Sequence, residues 1–379
     1  MSSSPNISVS QAIEDLRAGK IVIVVDDQDR ENEGDLTMAA DLVTPEAINF
    51  MASHGRGLIC LALSEEKVDE LRLPMMTQNN RSPHNTAFTV SVDAQNGIST
   101  GISARERAHT IKVAVSPDVK PEDLVTPGHV FPLRAKRGGV LVRSGHTEGA
   151  VDLARMAGLS PAGIICEIMR EDGEMARMPD LEAFAIKHGL GIVQIAELIQ
   201  YRMSREDLVK DLGKTEVKPF GSKQTCVAHH FSSEMEDAEF VALVLGDVTT
   251  PEPVLVRVQM ASLMRDVFAL ETQSDNVPTT EWMRQIEQEG RGVLLYIMPR
   301  VACTLTHSWM QGQSSKDEGH GLPLRDIGIG SQILARLGIK SIRLLTNNPR
   351  RLAGIEGYGI HVVDCLPSGG SPSKDRKAQ

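Results

Sequence analysis

Residues 24–40 read VVDDQDRENEGDLTMAA. Between Asp26 and Asp35 lie six carboxylates in ten residues (Asp26, Asp27, Asp29, Glu31, Glu33 and Asp35), with Arg30 among them. A solvated acidic turn is the plain reading of such a run. The position argues for more, because α/β folds gather their ligands at strand ends, and here five apolar residues, Ile21 to Val25, lead straight into the acids. Hard oxygen donors beside one guanidinium suit a divalent cation next to an anionic substrate.

Three further stretches could join that chemistry. In GGVLVRSGHTEGAVDLARMAG (residues 138–158), Thr147 can cap a helix running to Met156, with Gly158 just past its end. A helix start carrying Ser144, Gly145 and Thr147 offers free backbone N–H groups to a phosphate, and Arg143 adds a positive charge. His146 at that mouth could ligate a metal or move a proton, or be incidental to a capped helix. In TPGHVFPLRA, His129 sits in a loop punctuated by Pro and Gly. In AGIICEIMRED, Glu167 is a lone carboxylate in an apolar strand, which demands a partner, a strand end or a raised pKa. Together the pieces describe metal-assisted chemistry on a small sugar phosphate.

The elements that must position these groups alternate. SQAIEDLRAGK reads as a helix capped by Ser10, IVIVV as a strand, and TPEAINFMASHG as a helix capped by Thr44 with Pro45 at its first position. LICLALS is a strand, EEKVDELRL a helix and AFTVSVDA an alternating strand; SARERAHTIKVAV opens with a capping box of Ser103 and Glu106. AGIICEIM, DLEAFAIKHG and VQIAELIQYRM continue as strand, helix, helix. This predicts an α/β domain with a mixed or parallel sheet covered by helices. A polar stretch, SREDLVKDLGKTEVKPFGSK, places a boundary near residue 205. The second α/β domain then spans 206–367, and 368–379 read as a disordered tail.

Composition excludes several classes. A length of 379 residues favours two domains, and 41% hydrophobic residues suffice for two cores. A net charge of −10 and only 3% aromatics argue against nucleic acid, and no apolar run reaches membrane-span length. The opening MSSSPNIS lacks the apolar core of a signal peptide, so a cytoplasmic protein is expected. Five scattered cysteines, Cys60, Cys166, Cys226, Cys303 and Cys365, form no CxxC pair.

The segments DDQDRENEGDLTMAA, LPMM, TPGHVFPLRA, GGVLVRSGHTE and PAGIICE, in this order, resemble the 3,4-dihydroxy-2-butanone 4-phosphate synthase family over about residues 8–203. The resemblance implies a lyase of riboflavin biosynthesis. It would convert D-ribulose 5-phosphate into L-3,4-dihydroxy-2-butanone 4-phosphate and formate with Mg2+ or Mn2+, two ions per site, as a homodimer. It also implies Glu31 and His146 as metal ligands. Arg30, Glu31, Asp35, Arg143, Ser144, Gly145, His146, Thr147 and Glu167 would hold the substrate, and His129 and Glu167 would be catalytic. Asp26, Asp27 and Glu33 receive no role. One departure is Arg81 in NNRSPHNTAFTV, where the family more often has threonine after the two asparagines.

The second half, with PVLVRVQMASLMRDVFA, EGRGVLLYIM and LRDIGIGSQILARLGIKSIRLLTNNPRRLAGIEGYGIHVVD, resembles GTP cyclohydrolase II. That family holds zinc on three cysteines, in RxHSEC followed by CxC. Here Arg257, Val258, Gln259, Met260 and Ala261 lead to Ser262 at the first cysteine, and Gln273 and Asp275 fall on the pair. Serine, glutamine and one aspartate do not replace three thiolates. A later QEGRG is replaced by MPRVACTLTHSW, and Pro323 stands where an aspartate precedes the retained Arg325. The expectation is therefore no zinc and no GTP hydrolysis. That half would instead stabilise the dimer, regulate the synthase or dock another riboflavin enzyme. Two alternatives remain: a bifunctional enzyme, and a module sensing nucleotide or flavin through Thr346 and Arg351.

Overall fold

The computed structural model describes residues 5–28, 30–219, 222–233, 238–262, 266, 279–299, 324–346 and 360–367. Asp29, Gln273, Asp275, Pro323, Arg351 and the tail lie outside them. The chain divides into two compact units, Met1–Arg202 and Met203–Gln379.

The first unit contains α1 (Val9–Arg17), β1 (Val22–Val25), β2 (Gly34–Ala39), α2 (Pro45–Phe50), β3 (Cys60–Leu63), α3 (Glu65–Glu70) and β4 (Val92–Ala94). Then come α4 (Ala104–Val115), β5 (Leu124–Arg134), α5 (His146–Met156), β6 (Ala162–Glu167), α6 (Met178–His188), β7 (Ile192–Gln194) and α7 (Ile195–Met203). The seven strands form one mixed sheet in the order β4-β5-β3-β6-β2-β1-β7. Strand side chains alternate between faces, so each strand feeds two cores. Leu36 and Met38 of β2 and Ile164 and Cys166 of β6 pack with Ile48, Ile111 and Leu181 from α2, α4 and α6. On the opposite face Ile165, Cys60 and Ala62 meet Ala150 and Val151 of α5. Leu36 is fully buried, and truncating such a residue to alanine costs about 2–5 kcal/mol.

Several local expectations need correction. The cap of α1 is Ser8, whose Oγ accepts from the Gln11 N–H at 3.2 Å, and not Ser10. Starting there buries Val9 as well as Ile13 and Leu16. AFTVSVDA yields only the three-residue β4; before it the pairing is broken, since Pro132 brings no N–H and only accepts, from the Thr89 N–H at 3.0 Å and the Thr89 hydroxyl at 3.3 Å. TPGHVFPLR falls within β5, with Thr126 to His129 bulging out of its pairing with β4. Thr44 and Ser103 do cap α2 and α4.

The second unit contains β8 (Lys210–Val217), β9 (Cys226–Ser232), β10 (Ala238–Leu245), β11 (Val254–Met260) and α8 (Thr279–Glu289). It continues with β12 (Gly292–Pro299), α9 (Leu324–Arg336), β13 (Ser341–Leu345) and β14 (His361–Leu366). Its mixed sheet runs β14-β13-β11-β12-β10-β9-β8. Trp282, Met283 and Ile286 of α8 cover one face through Leu255 and Leu294. Ile329, Ile333 and Leu334 of α9 cover the other through Val256 and Leu295. Among the described residues no helix is long and apolar enough to cross a membrane.

Candidate active site

Sheet register sets the first pair. Asp35 on β2 lies directly opposite Glu167 on β6 and, on its other side, opposite Val24 on β1. Leu36 and Cys166 belong to the far core, so Asp35 and Glu167 both face α5. Glu167 Oε2 accepts the Leu58 N–H at 2.8 Å. Gly57 makes room for that carboxylate: a Cβ there would lie 2.5 Å from both Glu167 O and Oε2.

The loop from β1 to β2 is built around Asp26. Its Oδ1 accepts the Glu33 N–H at 2.8 Å, and its Oδ2 accepts the Glu31 N–H at 3.0 Å and Arg30 Nη1 at 2.8 Å. Arg30 also reaches Glu31 Oε1 at 3.0 Å, so one guanidinium bridges two carboxylates. Arg177 of α6's N-cap donates to the Glu31 carbonyl at 2.9 Å and to the Asn32 carbonyl. Repelling acids are thereby held together, with Asp26 as the internal acceptor.

Helix α5 closes the site. Its cap is Gly145, with no side-chain cap, and Thr147 lies buried within the first turn rather than capping it. A helix start at His146 leaves the first-turn N–H groups for a ligand, as a phosphate seat requires. Ser144 is exposed beside it. Arg143 is tethered, donating to the buried Glu148 at 2.7 Å and to the His84 carbonyl at 3.1 Å. A Cβ at 145 would meet Arg143 Nη1 at 2.4 Å, so a larger residue there would push the guanidinium aside.

His146 is buried between two acids: Nε2 is 3.6 Å from Asp26 Oδ1, and Nδ1 is 3.8 Å from Asp35 Oδ2. These separations are electrostatic contacts, too long for hydrogen bonds. Both ring nitrogens and Asp35 Oδ1 are buried without a hydrogen-bond partner. Burial pushes the Asp35 carboxyl up to about 7; nearby Glu167, Glu31 and Glu33 add to the rise and His146 opposes it. Burial works against charge on His146, yet Asp35 and Asp26 raise it to about 9. Burial would raise Asp26 too, but His146 and the Glu33 and Glu31 N–H groups hold it well below the carboxylate range.

Donor atoms of Asp26, Glu31 and His146 lie within 4.8 Å of one another, the one such group of three among the described residues. Two carboxylates and an imidazole whose nitrogens lack partners fit a divalent cation. Binding would require the neutral ring and so would release a proton. Sequence reasoning named Glu31 and His146 but gave Asp26 no role. Its signal was its place as the first residue past a buried strand. Asp93 was missed as well: its Oδ2 lies 2.7 Å from His129 Nδ1. The only hint was an acid inside an otherwise alternating strand.

In the second unit Ser262 follows β11, and its N–H donates to Asp266 Oδ2 at 2.9 Å. The same carboxylate accepts from Tyr296 at 2.7 Å and from Thr279 at 2.5 Å. Arg257 lies 4.4 Å over the Trp282 ring and donates to Gln259 and to the Leu345 carbonyl at 2.8 Å. Thr346 uses its N–H on the Leu366 carbonyl at 2.9 Å. Arg325 is part of α9.

A mixed sheet whose strand ends collect acids under a helix start is the layout of an α/β enzyme, with its ligand site at the strand ends. The family profile of 3,4-dihydroxy-2-butanone 4-phosphate synthase matches residues 10–201, and that of GTP cyclohydrolase II matches residues 215–367. Riboflavin biosynthesis protein RibBA of Aquifex aeolicus is 50% identical over 376 residues, covering 95% of this chain and 92% of that protein. RibBX of A. baumannii, a two-domain 3,4-dihydroxy-2-butanone 4-phosphate synthase, is 40% identical with a TM-score of 0.76, covering 95% of this chain and 99% of that one. Another such synthase, solved with two magnesium ions, is 41% identical with a TM-score of 0.51, covering 52% of this chain and 98% of that one. The chain belongs to the 3,4-dihydroxy-2-butanone 4-phosphate synthase family, with a GTP cyclohydrolase II family domain after it. It is a lyase of riboflavin biosynthesis.

Proposed function

We propose that the first unit carries out this reaction, D-ribulose 5-phosphate to L-3,4-dihydroxy-2-butanone 4-phosphate and formate, at the cleft between the β1–β2 loop, the end of β6 and the start of α5. The carrying observation is His146, buried with both nitrogens unpartnered between Asp26 and Asp35. Glu31 and His146, with Asp26 now added, would hold Mg2+ or Mn2+, which supplies Lewis-acid polarisation of neighbouring sugar oxygens. A related synthase crystallised with two magnesium ions supports this choice and the count. Arg143 and the uncapped Ser144–Thr147 segment take the phosphate, and Arg30 and Asp35 orient the hydroxyls. Glu167 faces the same side as Asp35, where it can move a proton of the bound sugar, and His129 serves as the second proton carrier.

We further propose that the second unit does not open GTP and holds no zinc. Ser262 supplies a hydroxyl where its family presents a thiolate, and Asp266 fixes the backbone there. The whole-length likeness to a two-domain synthase favours the same reading. Its role is then support, regulation or docking of another enzyme of the pathway, with the domain boundary near residue 205. A homodimer belongs to this reading, since exposed Leu58, Met75, Met76 and Ile102 are apolar surface for a partner subunit to cover. So does a cytoplasmic setting, where Cys60, Cys166, Cys226 and Cys365 stay free thiols.

One assay tests both halves: formate release with Mg2+ present, from ribulose 5-phosphate or from GTP as sole substrate. Formate from the sugar phosphate alone is the expected result. Formate from GTP would establish a bifunctional enzyme, the reading kept open by the family match over 215–367.

A further inference from the structure

Strand β5 is interrupted opposite β4. Val92 pairs with Val130 and the next residue, Asp93, pairs with Val125, so Thr126, Pro127, Gly128 and His129 are extruded from the ladder. Such bulges re-aim side chains. The excursion is tied back on both sides: Gly128 N–H donates to Ser91 Oγ at 3.1 Å, and a Cβ on Gly128 would lie 2.0 Å from the Val92 carbonyl carbon.

At its end, Asp93 grips one residue twice. Oδ1 accepts the His129 backbone N–H at 3.0 Å, and Oδ2 meets the ring Nδ1 at 2.7 Å. Asp93 is buried while the His129 ring stays 41% exposed, so the carboxylate is hidden behind the imidazole. Gly101, with φ of +89°, covers the pair: a Cβ there would lie 2.3 Å from Asp93 Oδ2 and 2.7 Å from His129 Nδ1. Its loop is pinned by Glu106, which accepts from the Gly101 N–H at 3.2 Å and from Ser99 and Ser103 hydroxyls at 2.6 and 3.0 Å. A single carboxylate holding both main chain and ring leaves the imidazole one orientation.

We infer that Asp93 is the positioning residue of His129, holding the neutral ring as the Nδ1–H tautomer so that Nε2 presents its lone pair to the sugar phosphate. An ionised carboxylate only accepts, so Nδ1 carries the proton and Nε2 is free to take one and return it. The inference rests on the reading of His129 as a proton carrier. Asparagine at 93 would keep the backbone contact through Oδ1 but turn an NH2 donor toward Nδ1, which forces the opposite tautomer.

The test uses the full chain with Mg2+ and ribulose 5-phosphate, with 15N-histidine labelling and His129 assigned through H129A. In the unmutated protein the neutral His129 ring is expected to carry its proton on Nδ1, and in D93N on Nε2. D93N should lose about 10²- to 10³-fold in kcat with KM within about threefold. D93N/H129A should be no slower than H129A alone, because the two groups act as a unit. A ring protonated on Nε2 in the unmutated protein, an unchanged kcat in D93N, or a further loss in the double variant overturns the inference. An H129A protein that keeps its activity overturns the role of His129 itself, and the tautomer measurement tells the two failures apart.

Discussion

Asp35 and Glu167 stand directly opposite each other across two antiparallel strands, 132 residues apart in sequence, on the sheet face that α5 covers. Burial raises the Asp35 carboxyl, and the like charge of Glu167 is among the groups that add to that rise. Neutralising either one, in Asp35→Asn or Glu167→Gln, should cut formate release from ribulose 5-phosphate by at least about 10²-fold. Far-UV circular dichroism should remain unchanged. Two fully active variants would remove this pair from the reaction.

The cation site can be tested without catalysis. Mg2+ at about 100 times its Kd should stabilise the folded chain by roughly 2.7 kcal/mol, read as a rise in Tm. His146→Ala should abolish that rise, and Asp26→Asn should weaken it. An equal Mg2+-induced shift in His146→Ala would place the cation elsewhere. Metal analysis of the purified chain should find no stoichiometric zinc.

Gly57 tests the packing behind Glu167. A methyl group at 57 cannot fit 2.5 Å from two Glu167 oxygens, and the obstacle includes backbone, which yields little. Gly57→Ala should cost about 1–3 kcal/mol in a urea titration. It should also depress turnover by displacing Glu167. A variant matching the parent in both would show that the strand end gives way freely.

Acid sensitivity should be traceable to Glu106. Its hydrogen bonds, those from Ser99 first, lower its carboxyl from 4.5 to about 2. A folded value below the unfolded one means that the charged form supports the fold. That support is complete above about pH 4.5 and fades as the pH falls toward 2. Glu106→Gln should therefore melt earlier than the parent at pH 7, with the gap closing below about pH 3. A gap that persists at low pH would mean the loss is steric.

Short-range pattern made much of this protein legible. The capping residues Thr44 and Ser103, the apolar run into β1 and the alternation of helices and strands follow from local propensities, which need no partner to act. Glu167 was visible as a carboxylate costly to bury in an apolar strand, whereas the roles of Glu31, Asp35, His129 and His146 came from the motifs that resemble the synthase family. Boundaries were less legible. Thr147 has the chemistry of a cap, yet Gly145 takes the position, since the helix must begin at His146 to set that ring between Asp26 and Asp35.

What the sequence by itself determined is which residues could do chemistry and that two α/β units carry them. Only the tertiary structure decided how they combine. The opposition of Asp35 to Glu167 is a matter of strand register, and a slip of one residue would turn both to the other face. The burial of His146 depends on α5 lying across β6, which follows it in the chain, and across β1, β2 and β3, which are distant in sequence. Asp93 reaches His129 because β5 extrudes four residues opposite one step of β4. Those relationships come from long-range pairing and packing, which residue types and spacing along the chain do not encode.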